Sequence, residues 1–200
     1  MNAKREVSLK QTLLDAALQR IEQGGTEALS LRKLAKDAGV TTMATYHHFA
    51  NKKALLVQIA IDGFSDLEKR ITIASENADK AGSSAEVVEQ IMKTYFTFAS
   101  ERPHLYNLMF GYDMTEERHT VPEFRQAAQS GFYVLARAVK GHMHANGHEL
   151  DLDAGGMCFW AILHGRVSLA ATGTILDEHH AFGMVDSLMD DAIKNVFHIN

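Results

Sequence analysis

The chain has a single cysteine, Cys158, among its 200 residues. That excludes an internal disulfide and any zinc site built from several thiolates, and it suits a reducing compartment. Prolines are nearly as scarce, Pro103 and Pro122 being the only two, so little in the sequence obstructs long helices. No stretch sustains the period-two alternation of a half-buried strand. Long apolar runs are missing as well: the longest, GGMCFWAIL at 155–163, falls well short of the roughly 18 residues a membrane span needs. The opening MNAKREVSLK carries charge where a secretory peptide carries an apolar core. The expectation is a cytoplasmic protein with no membrane segment.

Catalytic patterns are absent too. There is no phosphate-binding glycine loop, no glycine fingerprint following a strand and no HExxH. Cys158 and His164 are six positions apart on one predicted helix, about 600° of rotation, so they face different directions and form no local nucleophile–base pair. His142, His144, His148, Glu149 and Asp151 suggest a metal. However, His142 and His144 project about 200° apart, and Asn146-Gly147 should end the helix before His148. Solvated histidines are expected there, with no metal site, no cofactor and no enzymatic activity.

What is present is enough apolar sequence for a core, 46% hydrophobic against 22% charged, in the ordinary globular range. The net charge of −5 is unevenly spread: residues 1–55 hold nine Lys/Arg and five Asp/Glu, a net of +4, which leaves −9 for the remainder. A basic head on an acidic body suits a protein that meets a polyanion at one end only.

Apolar residues recur every three or four positions throughout, which predicts an all-α fold of about nine helices. The first starts at Ser8 with Leu9, Leu13, Ala17 and Ile21 inward, and Gly24-Gly25 ends it. The second runs from Leu31 to Ala38 behind Ser30. Gly39 is placed to close it in the left-handed region, and Thr41 can cap a third over Thr42 to His48. Asn51 can cap a long fourth helix. A break at 78–84 precedes a second block that opens at Ser83 and Glu86. Pro103 and Pro122 open two further helices, the latter ending near Asn146-Gly147, and helices at about 151–172 and 181–198 complete the chain. The domain division is 1–52 for the head and 53–200 for the body.

Helix, tight turn, helix is the arrangement in which the second helix enters the major groove of DNA, so its first residues should be short or hydrogen-bonding. Thr42, Met43, Ala44, Thr45 and Tyr46 fit. Thr41 and Thr42 lie at a helix N-terminus that favours phosphate. Tyr46 can reach the sugar–phosphate edge, His47 and His48 offer donors, and Lys52 supplies a point charge for the backbone. Equally, on spacing alone, Tyr46, His48 and Phe49 can seal a small three-helix core, with Thr42 and Thr45 solvated. For Phe49 the core is preferred.

The run LRKLAKDAGVTTMATYHHFANKKALL at 31–56 closely resembles the DNA-binding segment of the tetracycline-repressor family, down to the Gly-Val turn, the Tyr-x-His-Phe ending and Asn-Lys-Lys-Ala-Leu. WAILHG at 160–165 is similar to the Trp-His-Gly signature of one ligand-binding subfamily. The resemblance implies a homodimeric, ligand-responsive regulator with a recognition helix in the major groove and a helical body whose effector sets the spacing of the two heads. Carried over by position, it puts Thr42, Met43, Ala44, Tyr46 and His48 near bases or phosphates and Lys52 on the backbone. Thr45 departs from the pattern, standing where relatives usually have Leu or Ile, and is expected to be less buried.

In the body, Phe96, Tyr106, Met109, Phe110, Phe132, Trp160 and His164 can line a pocket for a small apolar or amphipathic effector, or can be plain core. Trp160 and His164, four apart, share a helix face. The stripe Phe182, Val185, Met189, Ile193 and Val196, with the small residues Ala170, Ala171 and Gly173 on the preceding helix, predicts dimerisation through the last two helices. A two-fold dimer would read half-sites of a palindromic double-stranded operator, acting as a repressor. The alternatives are a helical interaction or carrier protein that binds no DNA, and a metal-responsive sensor.

Overall fold

Helix α1 (Asn2–Gly24) buries Leu13, Leu14, Ala17 and Ile21 on one face, the spacing the sequence predicts. It begins ahead of Ser8, since MNAKREV contains no helix breaker and several good helix formers. The computed structural model describes residues 2–80, 82–171 and 193–197, with side chains from Leu9 onward. After a short 3-10 turn (Thr26–Ala28) come α2 (Leu31–Asp37), α3 (Thr42–His48), α4 (Lys52–Asp79), α5 (Ser84–Glu101) and α6 (Pro103–Phe110). A second 3-10 turn (Tyr112–Met114), α7 (Thr115–Thr120), α8 (Pro122–Ala145) and α9 (Leu152–Ala171) follow. No strand occurs among the described residues, and no helix among them is long and apolar enough to cross a membrane.

The chain divides into two compact units, Met1–Phe64 with Arg102–Ala127, and Ser65–Glu101 with Ala128–Asn200. The boundary read from the sequence at 52 lies inside the first unit, whose core is larger than three helices alone provide. Leu55, Ile59 and Phe64 of α4 and Leu105 and Met109 of α6 are buried there with the α1 stripe. Phe64 packs edge-on against Phe110 at 5.0 Å between ring centroids. Helix α7 is not among the helices the sequence predicts. Two hydrogen bonds fasten it: Arg118 Nη2 donates to the Met109 carbonyl (3.0 Å) and to the Gly111 carbonyl (3.3 Å).

In the second unit, Val88, Ile91, Tyr95 and Phe98 of α5, Leu135, Ala136 and Val139 of α8, and Phe159 and Leu163 of α9 make the core. Gly156 is a glycine because a Cβ there would collide with Ala136, so its absence lets α9 close on α8. His142 corrects the expectation of solvated histidines. It is buried and its Nδ1 lies 3.0 Å from the Ser84 hydroxyl, because it continues the Leu135–Val139 stripe of α8. His144 is exposed, with Nδ1 at 3.2 Å from Glu149.

Of the predicted dimer stripe, Phe182, Val185 and Met189, like Gly173, lie outside the described residues. Ile193 is buried within the subunit, in a segment where Phe197 packs on Phe159 at 5.1 Å. Ile193 is therefore not available to a partner. Val196 is exposed, as are Ala170 and Ala171.

Candidate nucleic-acid interface

The two-helix element is built by local chemistry. At the start of α2 the Ser30 hydroxyl accepts from the Lys33 N–H at 3.2 Å. At its end the Gly39 N–H donates to the Lys36 carbonyl (3.2 Å) and the Val40 N–H to the Ala35 carbonyl (2.9 Å). This is the paired closure in which the intervening residue must be left-handed, and Gly39 has φ of 65°. The chain then turns straight into α3, where the Thr41 hydroxyl accepts from the Ala44 N–H at 3.2 Å. Asn51 repeats the device one helix later, its Oδ1 accepting from the Ala54 N–H at 2.8 Å. Three caps and one glycine thus fix where α3 begins, where it ends and how it leaves α2.

One side of α3 is held in the unit. Thr45 is 0% exposed and Phe49 3%, four residues apart and so on one helix face. This corrects the inclusion of Thr45 among the DNA contacts. Its hydroxyl is satisfied internally, donating to the Thr42 carbonyl at 2.7 Å, which is how a polar side chain occupies a position where an apolar one is expected. The opposite side is open. Met43 is 77% and Tyr46 51% exposed, among the most exposed large hydrophobic side chains described. Thr41 and His47 are exposed, while Thr42, Ala44 and His48 are half-buried. The His47 and His48 rings meet edge-on at 5.5 Å. An apolar or aromatic side chain left in water on so short a helix forgoes burial worth about 1.5–3 kcal/mol.

The outer side of the preceding helix is basic. Arg32, Lys33 and Lys36 of α2 are exposed. In the sequence they contribute charge without an assigned role, and their spacing opposite the buried Leu31, Leu34 and Ala35 is the signal that exposes them. Arg20 is committed elsewhere, to an ion pair with Asp37, and holds that carboxyl below its usual range. Lys53 is likewise committed, with Nζ 2.7 Å from the Asp113 carbonyl and 3.3 Å from Glu117 Oε2. Lys52 beside it is half-buried and lines a cavity of about 620 Å³ together with Leu56, His104, Asn107, Leu108 and Met114. Nearby in the same unit, burial pushes the Glu22 carboxyl up against the opposing pull of His104 and Arg102.

The predicted effector-lining residues are divided between the two units. Tyr106, Met109 and Phe110 belong to the first unit, where Tyr106 and Met109 are core. Phe96, Phe132, Trp160 and His164 belong to the second. There the Trp160 and His164 rings stack at 5.4 Å and 20°, and the Arg166 guanidinium lies 3.7 Å over the Phe96 ring. None of the seven lines the cavity at Lys52 or the shallower groove of about 480 Å³ between α4 and α5 at Arg70 and Lys93.

Comparison with known proteins bears on this arrangement. The family described as bacterial regulatory proteins, tetR family, matches residues 13–59. The family described as tetracyclin repressor-like, C-terminal domain, matches residues 88–195. An HTH-type transcriptional regulator from Haemophilus influenzae is 25% identical over 129 residues, 64% of this chain and 60% of that protein. The matched stretch thus spans less than two thirds of that relative. A solved structure from Rhodococcus sp. RHA1, of unknown function, superposes with a TM-score of 0.79 at 28% identity, covering 95% of this chain and 94% of the other. FadR from Bacillus subtilis, solved in complex with stearoyl-CoA, shares the fold with a TM-score of 0.66 at 17% identity, covering 95% and 98%. With one profile lying over the capped two-helix element and the other extending over more than half of the sequence, the chain belongs to the tetR family of bacterial regulatory proteins.

Proposed function

We propose that the protein is a cytoplasmic, ligand-responsive transcriptional repressor that binds a palindromic operator as a homodimer. The observation that carries this reading is the two-sided α3. Thr45 and Phe49 hold it to the unit while Met43 and Tyr46 stand in water, within the stretch 1–55 that carries a net charge of +4. A helix so displayed fits the major groove, with Thr41, Thr42, Ala44, His47 and His48 near bases or phosphates and Lys52 on the backbone. Dimerisation through the end of the chain supplies the second half-site, and affinity and specificity rise together.

The effector is a small apolar or amphipathic molecule bound among the helices of the body, with Trp160, His164 and Phe96 as candidate walls. FadR's complex with stearoyl-CoA supports that class of molecule. An effector that binds the operator-free form better lowers operator affinity by the same factor that the operator imposes on it.

The test is duplex binding as a function of salt. Wild type should lose affinity steeply as ionic strength rises, and Lys52→Ala should reduce the slope of log affinity against log salt by about one per subunit. Tyr46→Ala should weaken binding without lowering the unfolding temperature. Unchanged binding in both variants would remove the assignment. A salt-insensitive interaction would favour a protein-binding module instead.

A further inference from the structure

Between Thr42 and His48, α3 reads TMATYHH and contains no Arg, Lys, Asn, Gln, Asp or Glu. Those are the side chains that pair with guanine, adenine or cytosine edges through long hydrogen-bonding arms. The open face of the helix is instead Met43, Tyr46 and His47, spaced i, i+3 and i+4 so that they form one patch. Met43 stands in the first turn, where a recognition helix meets base edges, and at 77% exposure it is more open than Tyr46 at 51%. Its thioether chain has no strong hydrogen-bonding group, and the one apolar feature of the major-groove edge is the C5-methyl of thymine.

We propose that Met43 is a specificity-determining residue, packing on the C5-methyl of a thymine in each operator half-site. This rests on the DNA-binding reading above. It goes beyond it by assigning base identity to an apolar contact: α3 selects T·A at that step by shape and desolvation, with hydrogen bonds from Tyr46, Thr41 and Thr42 fixing register. Arg32 on α2 remains free to read a different base pair without altering this assignment.

The full-length protein is used to enrich duplexes from a random double-stranded library, and the enriched duplex is then remade with deoxyuridine replacing one thymine at a time. This exchange removes one methyl group and leaves every hydrogen-bonding group in place. At one thymine per half-site, wild type should bind the uracil duplex about fourfold more weakly. With both half-sites changed the loss should be about fifteenfold, the equivalent of about 0.8 kcal/mol for each buried methyl. Met43→Ala should bind the thymine and uracil duplexes alike, and Met43→Leu should keep the difference.

The proposal is overturned if no single uracil weakens wild type by as much as twofold. It is equally overturned if Met43→Ala retains the full difference, whether or not its oligomeric state changes, since Met43 would then cover something other than DNA. Enrichment of a duplex without methyl sensitivity removes only the role of Met43. Failure to enrich any duplex at low salt removes the DNA-binding reading as well.

Discussion

The turn between α2 and α3 allows a clean separation of backbone strain from crowding. Gly39 has φ of 65°, and a Cβ built on it meets nothing within 4 Å. Gly39→Ala therefore adds no collision, and its cost is confined to holding an L residue in the left-handed region, about 1–2 kcal/mol. The unfolded chain loses some freedom in the same exchange, which at a compatible site would stabilise by about 0.4–1 kcal/mol. The net expectation is a loss of about 1 kcal/mol, read as a lower urea midpoint with an unchanged m-value. Gly39→Asn should lose less, since asparagine tolerates that conformation. Both variants, measured where they are fully folded, should bind duplex as wild type does, because the paired hydrogen bonds to the Ala35 and Lys36 carbonyls still set the angle of α3. If alanine proves neutral, or if asparagine costs as much as alanine, backbone conformation is not what glycine supplies here. If alanine folds with wild-type stability but fails to bind, the turn has a role in recognition that its geometry does not explain.

Three further outcomes follow from the same coordinates. Thr45→Asp buries a charge at a position with no exposure and should cost several kcal/mol in thermal or urea unfolding; Thr45→Val should leave duplex affinity of the folded protein unchanged, and a large loss with Val would return Thr45 to the interface. Burial raises the Glu22 pKa and leaves Oε1 buried without a hydrogen-bond partner, so its ionised form destabilises the fold at neutral pH and that penalty fades as pH falls through the raised value. Glu22→Gln should thus raise the melting temperature at pH 7, with the advantage shrinking to nothing below the ordinary carboxylate range; an advantage independent of pH would refute the desolvation argument. Trp160→Ala, which removes the ring stacked on His164, should alter the effector response more than basal duplex binding, and equal loss of both in a binding assay would place Trp160 in the core instead.

Sequence carried most of the head because the head is made by local rules. Ser30, Thr41 and Asn51 cap within three residues of themselves and Gly39 closes within five, so each signal lies inside the window in which it acts. The element that sequence misread there is the inward face of α3. Two turns of helix are too short for periodicity to decide, and Thr45 looks like a base contact until its i+4 relation to Phe49 is weighed. In the body the same limit recurs at larger scale. His142 reads as one of a polar group of histidines, yet it lies three residues beyond Val139 and seven beyond Leu135, on the buried stripe of α8. Helix α7 has no stripe of its own and is fastened by Arg118, which donates to the Met109 and Gly111 carbonyls, and by Glu117, which pairs with Lys53. Aromatic content does not distinguish a pocket wall from a core: Tyr106 and Met109 are buried with Ile21 and Phe98.

Two kinds of polar residue therefore carry opposite meanings in this fold, and hydrogen-bond satisfaction tells them apart. Thr45 and His142 are buried with partners in hand, Thr42 for one and Ser84 for the other, so their polarity is consumed by the structure. Tyr46 and His47 are exposed on α3, and their polarity is available to a ligand. Met43 completes the argument from the apolar side, since nothing inside the unit requires a methionine to stand 77% exposed in the first turn of α3. A surface that leaves Met43 and Tyr46 in water, above a buried threonine whose hydroxyl is satisfied within its own helix, has contacts to offer a partner. The net +4 of residues 1–55 suits a polyanionic partner such as the proposed duplex.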